Sequence, residues 1–244
     1  LGSAEARRRV LSRARSVPSV ASPGTRYAYS DLGFLLLCAY LEALGGERID
    51  ALYAKEVRAP SGCDLRWTWP DAAATEDCPV RKRVVVGEVH DLNAWSMGGW
   101  SSHAGLFGTV EAVAAAGAWQ LRAWAGASDE GLDPATVRRF WAHTDVGSHH
   151  LGWDGVSASG SSAGERWPRD GVGHLGFTGC SLWIAPRQDV VVSVVSNRIH
   201  PQIEGGSVPD APVHPRYAAF RSLRPRLHTA VVDALAAKGR WESV

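Results

Sequence analysis

The feature that most constrains the fold of this chain is an apolar segment, residues 32–46, that begins directly after two helix-capping residues. Ser30 and Asp31 are good N-cap residues, and Gly45 and Gly46 provide a stop at the other end. Nearly every side chain between them is apolar, so the segment predicts a helix without a polar face. We therefore expect it to be buried between a sheet and other helices. The side chains expected in the core are Leu35, Leu36, Leu37 and Leu41.

A tyrosine stands just before this helix. Because the N-terminus of a helix carries partial positive charge, the position of Tyr29 predicts a phenol pKa below the usual value of about 10. A phenol of this kind can act as a base. The alternative is that Tyr29, Ser30 and Asp31 form only the capped start of a core helix, and the three residues alone leave both interpretations open.

Composition limits the classes of partner. With 45% apolar and 21% charged residues, the chain is typical of a globular protein. Its net charge of +1 gives no reason to expect nucleic acid or an anionic membrane as partner, and no apolar stretch is long enough to span a membrane. The four cysteines lack Cys-x-x-Cys spacing and the nine histidines lack His-x-x-x-His spacing. We expect no metal or cofactor, and a metal-dependent hydrolase is the less favoured alternative.

Hydrophobic patterns predict a mixed α+β chain. The sheet is clearest at residues 174–184 and 190–196, two β-rich runs that we expect to form an antiparallel hairpin across 186–189. Residues 83–90 predict an outlying strand or hairpin, and residues 150–153 are expected to enter the sheet. Helices are predicted at 3–17, 50–57, 110–124, 134–143 and 217–237, the last kinked or split at Pro225.

A polar, glycine-rich stretch at residues 90–109 predicts a long structured loop. Long loops inside compact domains are usually functional. His103 is the residue of this loop best suited to chemistry, although a hydrogen bond that stabilises the loop is an equally good explanation for it.

Three segments together resemble the signatures of the serine β-lactamase and penicillin-binding protein superfamily, in particular its class C and esterase-like branch. The first is Pro-Gly-Thr-Arg-Tyr-Ala-Tyr-Ser-Asp at residues 23–31, the second is Gly-Leu-Phe at 105–107, and the third is His-Leu-Gly-Phe-Thr-Gly at 174–179. The resemblance covers essentially the whole chain. It implies one domain over residues 1–244, with an antiparallel sheet flanked by helices.

The resemblance also implies roles for individual residues. Tyr29 would relay protons as general base and then acid, and Asp31 would contact the substrate or hold a lysine. His174 would supply a donor or a positive charge near a substrate carboxylate or the leaving group. The backbone N–H of Phe177 would be half of an oxyanion hole. The further residues implied at the oxyanion or substrate site are Gly176, Thr178 and His103.

One signature of the superfamily, Ser-x-x-Lys, does not occur in the chain. The residues three positions before Lys55, Lys82 and Lys238 are leucine, proline and leucine. We expect the nucleophilic serine to lie in an upstream segment of the same domain, so that this chain is the C-terminal part of a domain incomplete at its N-terminus. The loss of a central helix should also leave apolar surface open.

With that segment, the expected function is hydrolysis of an ester, amide or lactam through an acyl-enzyme, on a small-molecule or peptide-like substrate. Asp31 stands where many members have asparagine and His174 where many have lysine, which favours an esterase or D-amino-acid peptidase over a specialised β-lactamase. The alternative is a non-catalytic, cleft-binding or regulatory relative. Superfamily members are often exported, so a periplasmic and a cytoplasmic location both stay open.

Overall fold

The structure is a computed structural model that describes residues 2–127, 131–143, 147–201 and 215–241, with side chains from residue 219 in the last range. Contacts divide the chain into two units, Leu1–Ala112 and Val113–Val244. The two units are described separately below. The expectation of one domain over residues 1–244 stays a prediction.

The regular structure of the first unit is mostly helical. Helix α1 (Ala4–Ser16) begins after Ser3, whose hydroxyl accepts the N–H of Ala6. Helix α2 (Asp31–Gly45) is the predicted apolar helix, and Ser30 caps it by accepting the N–H of Leu32. Gly46 ends α2 in the left-handed conformation, with φ of 70°. The shorter elements are α3 (Ile49–Tyr53), a π-helical turn (Ala54–Arg58), α4 (Ala59–Ser61), α5 (Leu92–Ser96) and the antiparallel strands β1 (Asp77–Cys78) and β2 (Arg83–Val84).

The expected burial of α2 on all sides is wrong. Leu35 and Ala39 are buried and pack with Leu11 and Ala14 of α1 and with Met97. The rest of the helix faces outward because the described part of the chain covers only one of its sides. Large side chains left exposed on α2 are Leu36, Leu37, Tyr40, Leu41 and Leu44, of which Leu37 is 51% and Leu44 72% exposed. Within the described residues, α2 therefore has an open apolar face.

An ion pair joins α1 to α2. Arg7 Nη2 lies 2.5 Å from Glu42 Oε1, and both side chains are mostly buried. Arg7 also donates to the carbonyl of Trp100 at 2.6 Å, and Glu42 accepts the N–H of Ile49 at 2.8 Å. The pair therefore fixes α1, α2, the start of α3 and the loop at residue 100 together.

The second unit is built on a four-stranded antiparallel sheet in the order β3-β4-β5-β6. The strands are β3 (Asp154–Gly155), β4 (Val172–Leu175), β5 (Ser181–Ala185) and β6 (Val190–Val194). The hairpin between β5 and β6 confirms the prediction across residues 186–189. The run 174–184 is not one strand, however, because it folds back through a tight turn at 176–180. Residues 150–153 do not enter the sheet and instead form the turn before β3, closed by the bond from the N–H of His150 to the carbonyl of Trp153.

Helices cover both faces of this sheet. On one face, α6 (Val110–Ala125) and α7 (Pro134–Trp141) contribute Leu121 and Trp141, which pack with Ile184. On the other face, α8 (Pro215–Ala236) places Val232 in a cluster with Trp183. Helix α8 runs through Pro225, so the predicted split there is wrong. No helix within the described residues is long and apolar enough to cross a membrane.

A buried histidine lies where α8 meets the sheet. His228 is fully buried, its Nδ1 lies 3.2 Å from the carbonyl of Ser162, and its ring contacts Trp167. Since a carbonyl only accepts, Nδ1 carries the proton, and Nε2 has no hydrogen-bond partner among the described residues. Burial lowers the pKa of His228, and the nearby Arg224 cation lowers it further.

We predict that His228 makes the protein less stable in acid. Below about pH 6.5, His228 binds a proton in the unfolded chain but not in the folded chain. The free energy of unfolding therefore falls as pH falls towards the lowered pKa of His228. Thermal unfolding followed by tryptophan fluorescence at pH 7.5 and 5.5 should show this loss. His228→Gln should reduce it, whereas His200→Gln, at an exposed histidine, should leave it unchanged. An equal loss in His228→Gln and the parent would contradict the prediction.

Candidate functional site

Tyr29 lies at the start of α2, directly before the capping residue. Its side chain is 64% exposed, and its hydroxyl donates a hydrogen bond to the carboxylate of Asp31. Partial burial of the phenol raises its pKa above 10, and the negative charge and hydrogen bond of Asp31 raise it further. The pKa of Tyr29 is thus shifted upward, whereas the helix dipole predicted a downward shift. In the described structure Tyr29 is therefore a protonated donor, held by its neighbour.

His103 lies in the glycine-rich loop, where its side chain is only 2% exposed and both ring nitrogens have partners. Nε2 lies 2.8 Å from Asp91 Oδ1, and Nδ1 lies 2.6 Å from Ser101 Oγ. Because a carboxylate only accepts, Nε2 donates to Asp91, and in the neutral ring Nδ1 accepts from the Ser101 hydroxyl. The same Oδ1 accepts the N–H of Ala94 at 2.8 Å and so caps α5. His103 thus ties its loop to α5.

The carboxylate at the end of this chain of hydrogen bonds is stabilised in its charged form. Burial alone would raise the pKa of Asp91, but the hydrogen bonds from His103 and the Ala94 N–H outweigh burial and hold the pKa below its usual value. Asp91 is therefore an anion under ordinary conditions. It serves as the common acceptor for a helix end and a buried imidazole.

A groove of about 620 Å³ lies beside this loop, within the first unit. Its walls are mostly apolar, and the loop 101–106 forms one side of it. Leu106 has a left-handed backbone, with φ of 62°, which is uncommon for a residue other than glycine. The apolar side chains that line the groove include Leu41, Leu44, Ile49, Leu52, Val57 and Trp67. The groove is thus continuous with the open face of α2.

His174 lies in the second unit, on β4, where it pairs with Leu182 of β5 and is partly exposed. Its Nδ1 lies 3.0 Å from the carbonyl of Leu175. A carbonyl only accepts, so Nδ1 carries a proton, and Nε2 can donate only when the ring is a protonated imidazolium. His174 could therefore donate to a substrate as a cation, and accept through Nε2 when neutral.

The turn between β4 and β5 presents Phe177 at its tip, with its side chain 51% exposed. The N–H of Gly176 donates to the carbonyl of Cys180 at 2.7 Å, and the hydroxyl of Thr178 contacts Cys180 Sγ at 3.7 Å. Gly179 is required by the turn itself, since its φ is 107° and an added Cβ would overlap Ser196 Oγ. An added Cβ at Gly176 would meet only ordinary contacts, the nearest at 3.4 Å.

The structure thus places Tyr29, Asp31 and His103 in the first unit. Tyr29 and Asp31 are brought together, while the ring of His103 is bound by Asp91 and Ser101. In the second unit, His174 stands on β4 and the turn that follows it holds Gly176, Phe177 and Thr178. Among the described residues, no three histidine, cysteine, aspartate or glutamate side chains are grouped as metal ligands would be.

Asp91 and Ser101 were not identified as partners of His103 from the sequence. Asp91 precedes the short helix α5 as an aspartate N-cap, so its capping role was open to prediction. Its bond to His103, twelve positions away, had no local signal.

Comparison with known proteins gives one consistent result. The family model described as Beta-lactamase matches residues 2–208. Two proteins assigned as D-alanyl-D-alanine carboxypeptidases, from Salmonella enteritidis and Salmonella agona, are 27% and 26% identical to this chain over 217 residues. In each case the match covers 80% of this chain and 50% of the relative. The chain therefore spans about half the length of the curated relatives it matches.

Solved structures share the fold. A β-lactamase from Mycobacterium bovis superposes with a TM-score of 0.60 at 18% identity, covering 93% of this chain and 73% of that one. An octameric penicillin-binding protein homologue from Pyrococcus abyssi superposes with a TM-score of 0.59 at 18% identity, covering 91% of this chain and 47% of that one. A hydrolase with promiscuous acyltransferase activity superposes with a TM-score of 0.56 at 19% identity, covering 86% of this chain and 58% of that one. These likenesses confirm the predicted α+β fold, with an antiparallel sheet flanked by helices.

We predict that Asp31→Asn lowers the pKa of the Tyr29 phenol, because the substitution removes the adjacent negative charge. NMR of tyrosine labelled at the ring carbon that bears the hydroxyl would follow each phenol through its titration, with Tyr29→Phe to assign the signal. Tyr53 serves as the internal control, since burial raises its pKa and Asp31 has no part in the shift. An unchanged or raised Tyr29 pKa in Asp31→Asn would contradict this account of the pair.

We also predict that Asp91→Ala destabilises the protein by about 2 kcal/mol, because it removes a helix cap and leaves the buried N–H of His103 without an acceptor. Urea unfolding would measure the change. Asp133→Ala is the matched control, since Asp133 caps α7 through the N–H of Thr136 and has no buried imidazole to support. That variant should lose only about 1 kcal/mol. Equal losses in the two variants would mean that the contact with His103 adds nothing.

Proposed function

The chain belongs to the Beta-lactamase family, a family of serine hydrolases, and we propose that, together with a segment carrying the nucleophile, it hydrolyses an ester, amide or lactam through an acyl-enzyme. The observation that carries the proposal is the family match over residues 2–208, which includes both the tyrosine element at α2 and the His-Leu-Gly strand. Because the chain spans 50% of its curated relatives, the activity is proposed for the whole protein.

The proposed segment carries Ser-x-x-Lys and lies upstream in the same protein. Two observations support it, apart from the absence of that signature in these 244 residues. The exposed face of α2 is apolar, with Leu37 and Leu44 more than half exposed, and the groove beside it is lined mainly by apolar side chains. Apolar surface of this extent is unfavourable in water and is stabilised by an apolar helix packed over it.

The proposed chemistry uses Tyr29 as the proton relay. The serine oxygen attacks the carbonyl carbon while its proton passes to the lysine and tyrosine side chains. When the acyl-enzyme forms, the leaving group departs with that proton, and water then attacks the ester by the same route. Partial burial and Asp31 raise the pKa of Tyr29, so the relay needs a cation nearby to bring the pKa back down. A lysine ammonium from the proposed segment would supply this charge.

His174 and the turn after β4 are proposed to act on the acyl group and its surroundings. The N–H of Phe177 would donate to the carbonyl oxygen as negative charge develops on it. His174, when protonated, would donate through Nε2 to a substrate carboxylate or to the leaving group. Gly176, Thr178 and the loop at His103 would border the substrate. The buried His103 ring would contribute through the shape of its loop.

The substrate class that we favour is an ester or a peptide of D-amino acids. Asp31 is a carboxylate, which cannot donate to an acyl carbonyl as the asparagine of many members would. A histidine stands at position 174 where a lysine is common, which removes a permanent positive charge. The assignment of two relatives as D-alanyl-D-alanine carboxypeptidases supports the peptide, and the likeness to a hydrolase with acyltransferase activity supports the ester.

The alternative is a cleft-binding relative without catalysis, which is favoured by the lack of Ser-x-x-Lys in the chain itself. The coding sequence upstream of residue 1, checked against the intact mass of the native protein, separates the two proposals. An in-frame Ser-x-x-Lys whose serine reacts with a fluorophosphonate supports the hydrolase. A native protein without that signature supports the binding protein.

We predict that Tyr29→Phe in the native full-length protein lowers turnover of an ester substrate at least about a hundredfold, because general acid–base catalysis contributes factors of this size. Tyr40→Phe is the matched control. Tyr40 lies on α2 and has no place in the proposed relay, so this variant removes a phenol hydroxyl of the same kind from outside the relay. Turnover within about twofold of the parent is expected for Tyr40→Phe. The same result for Tyr29→Phe would remove the tyrosine from the proposed relay.

A further inference from the structure

Three consecutive carbonyl groups of the turn between β4 and β5 are held in place, two of them by one arginine. The carbonyl of Gly176 accepts the N–H of Gly179 at 3.0 Å. The carbonyl of Phe177 accepts Nε of Arg198 at 2.8 Å, and the carbonyl of Thr178 accepts the backbone N–H of Arg198 at 3.0 Å. The segment after β6 thus binds the tip of the turn through both the backbone and the side chain of Arg198.

Fixing a carbonyl also fixes the N–H of the same peptide group. The peptide is planar and trans, so its N–H points opposite to its C=O. The bond to the carbonyl of Gly176 therefore sets the direction of the Phe177 N–H. In the same way, the bond from the Arg198 side chain sets the direction of the Thr178 N–H. This bond restrains rotation of the Phe177–Thr178 peptide.

The charge of Arg198 adds to this geometry. Hydrogen bonds from a guanidinium are shorter and stronger than neutral ones, and a polarised carbonyl makes the N–H of its own peptide a better donor. The guanidinium also lies over the Phe177 ring, 5.6 Å from its centroid, and 5.9 Å from that of Phe220. Arg198 is thus held in place by the aromatic rings on which it lies.

We propose that Arg198 is a positioning residue for the oxyanion hole, because it orders the turn that carries the Phe177 N–H. The inference rests on the proposed function, in which the Phe177 N–H donates to the reacting carbonyl. As the nucleophile bonds to the carbonyl carbon, the π electrons of the C=O bond move to oxygen, and the N–H donors stabilise that charge without transferring a proton. Arg198 would act through the turn, whose Phe177 and Thr178 carbonyls it binds, so that the Phe177 N–H needs little reorganisation when the charge develops.

The test compares Arg198→Ala and Arg198→Lys in the native full-length protein with an ester substrate. We expect Arg198→Ala to lower kcat about tenfold to a hundredfold with KM changed less than about threefold, because misplaced donors weaken transition-state binding. Affinity for a boronic acid, which mimics the tetrahedral intermediate, should fall in parallel with kcat. Arg198→Lys keeps a cationic donor and should recover part of the loss.

Arg169→Ala is the matched control, since Arg169 also donates to backbone carbonyls, those of Ser157 and Ala158, in a different loop. It should leave kcat and boronic acid affinity unchanged. Unchanged kcat in Arg198→Ala would overturn the proposal. A change confined to KM would do the same.

A second measurement keeps the inference separate from the proposed function. In ¹⁵N-labelled protein, the amide signals of Phe177 and Thr178 should shift or broaden in Arg198→Ala and stay in place in Arg169→Ala. If the native protein proves inactive, the proposed hydrolase function fails, while this result still decides whether Arg198 orders the turn. Unchanged amide signals would show that it does not.

Discussion

The ion pair between Arg7 and Glu42 lies on the covered side of α2 and joins it to α1, to the start of α3 and to the loop at residue 100. Leu35, Cys38, Ala39 and Glu42 recur at the spacing of one helix face, so the pair and the buried apolar residues share a stripe. The pair is only slightly exposed, and breaking it would leave one charge poorly solvated. With this stripe turned to α1, the apolar side chains on the other faces of α2 must point outward.

Local signals predicted the ends of the elements well. Ser30 and Gly46 cap α2 as expected, because capping depends on a few neighbouring residues. The choice of the covered face had no such signal, since a helix that is apolar all round has almost no preferred side. The pKa of Tyr29 was missed for a related reason. The helix end favours the phenolate, but partial burial and the adjacent Asp31 oppose it, and only the structure shows which effect is larger.

Two loops, one in each unit, share a feature that the sequence could not reveal. In each, a side chain far along the chain fixes a loop: Asp91 holds His103 from twelve positions away, and Arg198 holds the carbonyl of Phe177 from twenty-one. Neither pair of residues has the spacing of a helix face or a strand face, so no sequence pattern predicts the contact. In addition, Arg198 binds a backbone carbonyl, a group that does not depend on which amino acid is present. Resemblance to a family can identify the loop, but the residue that orders it is found only from coordinates.

The raised pKa of Tyr29 has a consequence for how the proposed enzyme assembles. Within this chain the phenol is a weaker acid than free tyrosine, so less of the phenolate is present at equal pH. An ammonium about 4 Å away would contribute roughly 4 kcal/mol towards the phenolate at an effective dielectric of about 20. The segment proposed to bring the serine would therefore also bring the charge that activates the tyrosine. The serine and Tyr29 would then become active together, when the proposed segment packs on the exposed apolar face of α2.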